Sequence, residues 1–136
     1  MSRVQLALNV DDVDAAVEFY GTLFQAEPHK RRPGYANFAL TDPPLKLVLI
    51  ENKGAGGGLN HLGVEVETPA EVSTTNERLN GVGLPTAEDN GTCCFATQDK
   101  VWVSDPTGTS WEIYTVTDDN PVIEPTAETS AAPCCV

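Results

Sequence analysis

Basic residues are scarce in this chain. Eight Lys and Arg stand against 20 Asp and Glu among 136 residues, for a formal net charge of −12. Phosphate backbones are bound by clusters of Lys and Arg, so a general nucleic-acid binder is excluded, and so is docking on an anionic membrane surface. Long apolar runs are missing too: nothing approaches the roughly 20 apolar residues of a membrane-spanning helix. The opening Met1-Ser2-Arg3-Val4-Gln5 lacks the charged and then apolar regions of a secretory signal, so the expectation is a cytoplasmic protein. What is present suffices for a core: hydrophobic residues make up 40% of the chain, in the range of one globular domain.

The strongest organisational signal is an internal repeat. Val4-Gln5-Leu6-Ala7-Leu8-Asn9-Val10 aligns without gaps on Asn60-His61-Leu62-Gly63-Val64-Glu65-Val66, which places Gln5 on His61. Both segments alternate apolar and polar residues, the pattern of a strand with one face on a core. Each leads into a helix. Asp11 or Asp12 caps the first, whose stripe is Val13, Ala16, Val17, Tyr20 and Phe24. Gly21 is a weak point inside it. Thr68-Pro69-Ala70-Glu71 is a capping box with Pro at the first helical position, followed by a thinner stripe of Val72, Leu79 and Val82 and a stop at Gly81 or Gly83.

Three strands are expected after each helix. In the first copy they are Pro28 to Arg32, Tyr35 to Leu40 and Leu45 to Glu51. In the second they are Thr86 to Glu88, Cys93 to Val103 with an irregular start, and Ser110 to Thr117. Residues 53–58, Lys-Gly-Ala-Gly-Gly-Gly, read as a flexible connector. The modules are thus 3–52 and 59–118, and residues 119–136, rich in Pro, Thr, Ala and acid, read as a flexible tail.

Alternation directs Gln5 and His61 away from the helix-covered face, in equivalent positions, with small Ala7 and Gly63 beside them. In the last strand Glu112 shares a face with Tyr114 and Val116, where a carboxylate is costly to bury unless it is paired or holds a cation. An amide oxygen, an imidazole and a carboxylate form a three-ligand set like the facial triad of non-haem Fe(II) oxygenases with one His replaced by Gln. Plainer readings exist for each: His61 as a hydrogen-bonded strand histidine, Gln5 as a solvated amide, Glu112 as an ion-pair partner of Lys46.

The four cysteines form two adjacent pairs, Cys93-Cys94 and Cys134-Cys135. Neighbouring Cα atoms lie about 3.8 Å apart, short of the usual disulfide span of about 4.4–6.8 Å. Two free thiolates that close suit a soft, thiophilic centre such as Cd(II) or trivalent arsenic, against the bland reading of inert buried thiols. The tail pair either binds metalloid or is dispensable. His29-Lys30-Arg31-Arg32 either attracts an anionic ring substituent or is a solvated strand edge. Phe95 is the aromatic residue placed to touch a ligand.

The paired βαβββ modules and Asp105-Pro106-Thr107-Gly108…Trp111-Glu112 resemble the vicinal-oxygen-chelate superfamily of glyoxalase I, extradiol dioxygenases and bleomycin-resistance proteins. The resemblance implies an α+β fold with an open, concave mixed sheet in a single domain over residues 1–118. Arg32-Pro33-Gly34-Tyr35-Ala36-Asn37-Phe38-Ala39, Pro43 to Leu49, Leu59 to Val66 and Cys93-Cys94…Gln98-Asp99-Lys100-Val101-Trp102-Val103 resemble more narrowly the organoarsenical carbon–arsenic lyases and cadmium-inducible proteins of bacteria. That resemblance implies an Fe(II)-dependent dioxygenase with dioxygen as co-substrate, cleaving methylarsenite and reduced aromatic arsenicals to arsenite. It implies iron at Gln5, His61 and Glu112, or another divalent metal as isolated, and substrate arsenic on Cys93 and Cys94. The segment from Asp89 to Gln98 is then expected to be a loop that captures substrate and closes. Monomer and homodimer are both compatible. Two other functions stand beside it: a non-enzymatic Cd(II) or As(III) binder, and a glyoxalase-like isomerase or thiol transferase.

Overall fold

The computed structural model describes residues 2–93 and 96–119, Thr92 and Cys93 by backbone alone. The elements follow the order β1 (Arg3–Val10), α1 (Val13–Phe24), β2 (Lys30–Arg32), β3 (Tyr35–Thr41), β4 (Pro44–Glu51), β5 (Leu59–Glu65), α2 (Pro69–Gly81), β6 (Ala87–Cys93), β7 (Ala96–Ser104) and β8 (Ser110–Asp118). This is βαβββ twice over, as the repeat requires. The chain divides into two compact units, Arg3–Leu62 and a second that begins at Gly63. Neither helix is long and apolar enough to cross a membrane.

In the first unit the strand order is β2-β3-β4-β1-β5. β1 runs parallel to β4, in register Gln5 to Lys46 and Ala7 to Val48, while β3 pairs antiparallel with β4 and β2. Alternation divides the sheet into two faces. One carries Ala36, Phe38, Leu40, Leu47 and Leu49, buried with Val13; Leu6, Leu8, Val10 and the α1 stripe Ala16, Val17, Tyr20 and Phe24 pack against them. The opposite face carries Gln5, Asn37, Lys46, Lys30 and His61, all buried as well.

Local chemistry sets the ends of α1. Asp12 is the cap, its carboxylate accepting from the amides of Asp14 and Ala15, and Glu51 takes the Val13 amide at 3.0 Å. At the other end Gln25 adopts φ 52°, and both it and Ala26 donate to the Gly21 carbonyl. A Cβ on Gly21 would stand 3.2 Å from the Ala26 carbonyl oxygen. The weak helix former therefore sits where the chain folds back over the helix.

The connector differs from expectation. Rather than being a loose linker, residues 53–58 close around one carboxylate: Asp11 Oδ1 accepts from the amides of Gly54 at 2.8 Å and Gly56 at 3.0 Å. A Cβ on Gly56 would lie 2.5 Å from Asp11 Oδ2, so the close approach demands glycine there.

In the second unit the strand order is β8-β7-β6, and the Val66 amide donates to the Tyr114 carbonyl at 2.8 Å. The Thr68–Glu71 capping box is complete, with Pro69 in the first turn. Val72 and Leu79 are buried, but Val82 is not: the helix stops at Gly81, Val82 becomes its C-cap, and its side chain is 73% exposed. β2 is shorter than expected because Pro28 has no amide to donate. The larger correction concerns Asp89 to Gln98. Instead of one loop, β6 extends to Cys93 and β7 begins at Ala96, paired antiparallel from Ala87–Trp102 to Cys93–Ala96. Of the tail expected over residues 119–136, all beyond residue 119, including Cys134 and Cys135, lies outside the described residues.

The turn before β8 is organised by Asp105, whose Oδ1 accepts from the Thr107 amide (2.8 Å), the Thr107 hydroxyl (2.8 Å) and the Thr109 amide (2.9 Å). The Thr109 amide, then the Thr107 hydroxyl, hold this carboxyl below its ordinary value. A folded-state pKa below the unfolded one contributes stability above the unfolded value that is lost as pH falls through the folded one. Asp105→Ala should therefore lower the urea midpoint at pH 7, and the gap from the parent should close as pH drops below the usual carboxylate range. A gap that is constant with pH would contradict this origin.

Candidate metal centre

The first unit brings two of the expected ligands together. Gln5 on β1 and His61 on β5 are both buried, with Gln5 Nε2 2.8 Å from His61 Nε2. The imidazole is held from behind: His61 Nδ1 lies 2.7 Å from Asn60 Oδ1, and Asn60 Nδ2 donates to Asn9 Oδ1 at 3.0 Å. An amide oxygen only accepts, so Nδ1 carries the proton and Nε2 presents its lone pair. The Gln5 amino group donates into that lone pair. A half-turn of the amide replaces NH2 by Oε1 and sets an oxygen and a nitrogen donor side by side. Divalent transition metals accept that combination, so the pair fits a metal, with Asn60 as the outer partner that fixes ring and tautomer.

Glu112 belongs to the second unit, on β8. It is 2% exposed and lies 3.4 Å from Lys100 Nζ, itself 2% exposed. Register explains the meeting: Trp102 is opposite Glu112 and Lys100 is opposite Tyr114, so the lysine reaches its partner diagonally across two strands. Lys100 Nζ also lies 5.5 Å from the centre of the Trp102 ring, within range of cation–π attraction. A carboxylate buried to this degree needs a cation, and within its unit Lys100 is one. Cys93 is the last residue of β6, opposite Ala96; its side chain, Cys94 and Phe95 lie outside the described residues. Among the described residues no group of three or more His, Cys, Asp and Glu is gathered to hold a metal, and the expected set has only two residues of those types.

Sequence reading missed Lys100, Asn60 and the buried Asn37, and it weighed Lys46, also buried, only as a partner for Glu112. Lys100 stands at the same alternation phase as Trp102 and Gln98, a pattern that becomes meaningful only when β7 is set against β8. Of the basic segment after α1, Lys30 is buried on the polar face, whereas Arg31 pairs with Asp14 at the exposed surface.

Residues 3–113 match the glyoxalase/bleomycin resistance protein/dioxygenase superfamily. The cadmium-induced protein CadI of Mycobacterium tuberculosis is 58% identical over 142 residues, covering 99% of this chain and 93% of that protein. A trivalent organoarsenical cleaving enzyme of Thermomonospora curvata is 53% identical over 137 residues, covering 99% and 89%. The chain belongs to this superfamily. Its fold is also that of the 2,3-dioxygenase LapB from Pseudomonas sp. KL28, with a TM-score of 0.68 at 19% identity over 92% of this chain and 44% of that one. The β1–α1 and β5–α2 repeats with an open mixed sheet are thus the superfamily's architecture, and the CadI and organoarsenical-cleaving relatives place the chain among its arsenical- and cadmium-related members.

Two outcomes follow from the geometry. Asn60→Ala should weaken Fe(II) binding roughly 10–100-fold, the usual cost of losing an outer partner of a ligating histidine, read by anaerobic metal titration; unchanged affinity would mean that His61 is not a ligand. Lys100→Met should destabilise the metal-free protein by about 3–5 kcal/mol in urea, because Glu112 loses its buried partner, and adding Glu112→Leu should recover most of the loss.

Proposed function

We propose that the protein is a non-haem Fe(II)-dependent enzyme that cleaves the carbon–arsenic bond of trivalent organoarsenicals, methylarsenite and reduced aromatic arsenicals among them, using dioxygen and releasing arsenite. The observation that carries this is the Gln5–His61 pair at 2.8 Å with its imidazole proton fixed on Nδ1, together with 53% identity to a trivalent organoarsenical cleaving enzyme. Gln5, His61 and Glu112 are the proposed metal ligands. When bound, iron supplies the redox chemistry that turns dioxygen on the carbon attached to arsenic.

The rest is the work of this chain's residues. Gln5 and His61 are neutral donors, so Glu112 is the one charge in the set, and three ligands leave positions open for water and substrates. Asn60 keeps the proton away from Nε2. Cys93 and Cys94 displace two hydroxyls of the arsenical as water, leaving the single As–C bond intact and the organic group projecting. That anchoring supplies orientation. Cys93 ends β6, paired with Ala96 of β7, so the strand leading to the cysteines is anchored up to that residue.

The test is arsenite release from methylarsenite by iron-loaded protein, with and without dioxygen. Release should require both, and Cys93→Ser should abolish arsenical binding while iron content stays intact. No oxygen-dependent release with iron bound would overturn the assignment, and loss of iron in Cys93→Ser would mean the site is misplaced. The similarity to a cadmium-induced protein favours a second reading, a non-enzymatic Cd(II) or As(III) binder. It predicts tight binding without oxygen consumption, retained in Glu112→Ala.

A further inference from the structure

The polar face of the first unit carries more than a metal pair needs. Lys46 is opposite Gln5 across β4 and β1, Ala39 is opposite Lys46, and Asn37, two along from Ala39 on β3, is opposite Lys30 on β2. Lys30, Asn37 and Lys46 are all buried. Asn37 is the informative one. Its Nδ2 donates to the Tyr35 hydroxyl at 2.9 Å, which fixes one end of the amide. The other end, Oδ1, is buried and accepts no hydrogen bond among the described residues.

A buried acceptor left unsatisfied bears its full desolvation penalty, and an apolar residue of the same size would bear none. The rest of this stretch of β3 is Ala36, Phe38, Ala39 and Leu40, so the strand tolerates apolar side chains on both faces. An asparagine persisting here, tied down at one end and open at the other, has the form of a recognition group. Its position says for what. β3 is separated from β1 by β4 alone, and Asn37 is level with Val48 and Ala7, two residues along from Gln5, which puts the two positions about 12 Å apart by ordinary strand spacing. With the reach of both side chains and the contacts at either end allowed for, that gap takes a phenyl ring bearing a para substituent, its arsenic-bound carbon toward Gln5 and His61. A methyl group cannot span it.

The geometry points to Asn37 as a specificity-determining residue for aromatic arsenicals that carry a ring hydroxyl. The hydroxyl donates to Asn37 Oδ1, and its oxygen lies on a face whose two neighbouring strands bring buried ammonium groups, Lys30 and Lys46. This rests on the arsenical reading above and names the part of the substrate that reading leaves open: a phenolic group in preference to an unsubstituted ring or a methyl.

The experiment is anaerobic calorimetry on the full chain with methylarsenite, phenylarsenite, 4-hydroxyphenylarsenite and 4-nitrophenylarsenite, so that no turnover enters. The parent should bind the hydroxyphenyl compound about tenfold tighter than the phenyl one, the worth of one hydrogen bond in a desolvated site. Asn37→Leu and Asn37→Val should bring that ratio to about one, leaving phenylarsenite and methylarsenite affinities within about twofold. The proposal is overturned by a parent ratio near one, by a preference for the nitro compound, by a ratio unchanged in either folded variant, or by equal loss for all four ligands. The parent ratio decides even if both variants fail to fold. Failure of every arsenical to bind the parent would instead defeat the arsenical reading itself.

Discussion

A hydrogen bond of 2.8 Å joins Gln5 to His61, 56 residues apart in the chain, and most of the first unit serves to make it possible. Both side chains are polar and buried, which is tolerable only when their hydrogen-bonding groups are answered. The answers come in series, from Asn9 to Asn60 to His61 to Gln5. Beneath them, β1 and β4 fix the register, and the leucines on the reverse face of the same strands seal against α1. The single constraint is alternation: one residue to the core, the next to the site.

The two units answer the same problem differently. In the first, Gln5 and His61 are neutral donors that satisfy one another, so neither carries charge before a ligand arrives. In the second, Glu112 brings full charge into a buried position and Lys100 balances it. A buried ion pair is weak evidence for stability, since its attraction is set against the desolvation of both ions. Its presence on β7 and β8 therefore speaks for a function of the carboxylate rather than for the fold.

Much of this was legible in the sequence, for physical reasons that can be named. The helix caps at Asp12 and Thr68 depend on neighbours within three residues, so local chemistry predicts them. Gln5 and His61 were found because the repeat supplies a second copy to align. What stayed hidden depends on partners distant in sequence. Asn37 and Lys100 look like ordinary polar interruptions until β3 and β7 are set against their neighbours. The Lys53–Gly58 connector has the composition of a loose linker, and only the Asp11 carboxylate, 43 and 45 residues away from the amides it holds, makes it ordered. The strand expected over Thr86 to Glu88 was stopped there because Asp89-Asn90-Gly91-Thr92 is turn chemistry with poor strand propensity; its continuation to Cys93 comes from pairing with β7.

That same strand has a bearing on how the molecule behaves in company. β6 ends the strand order of its unit, and Ala87 to Gly91 are exposed at every position. An outermost strand with open amides and carbonyls is a template on which other chains can stack. Here it carries Glu88 and Asp89 on a chain already at −12, and Gly91 at φ 139° breaks its flatness. Copies approaching along this border meet repulsion before they meet a hydrogen-bonding partner. The acidity that says nothing about the chemistry thus guards this edge against strand-to-strand stacking.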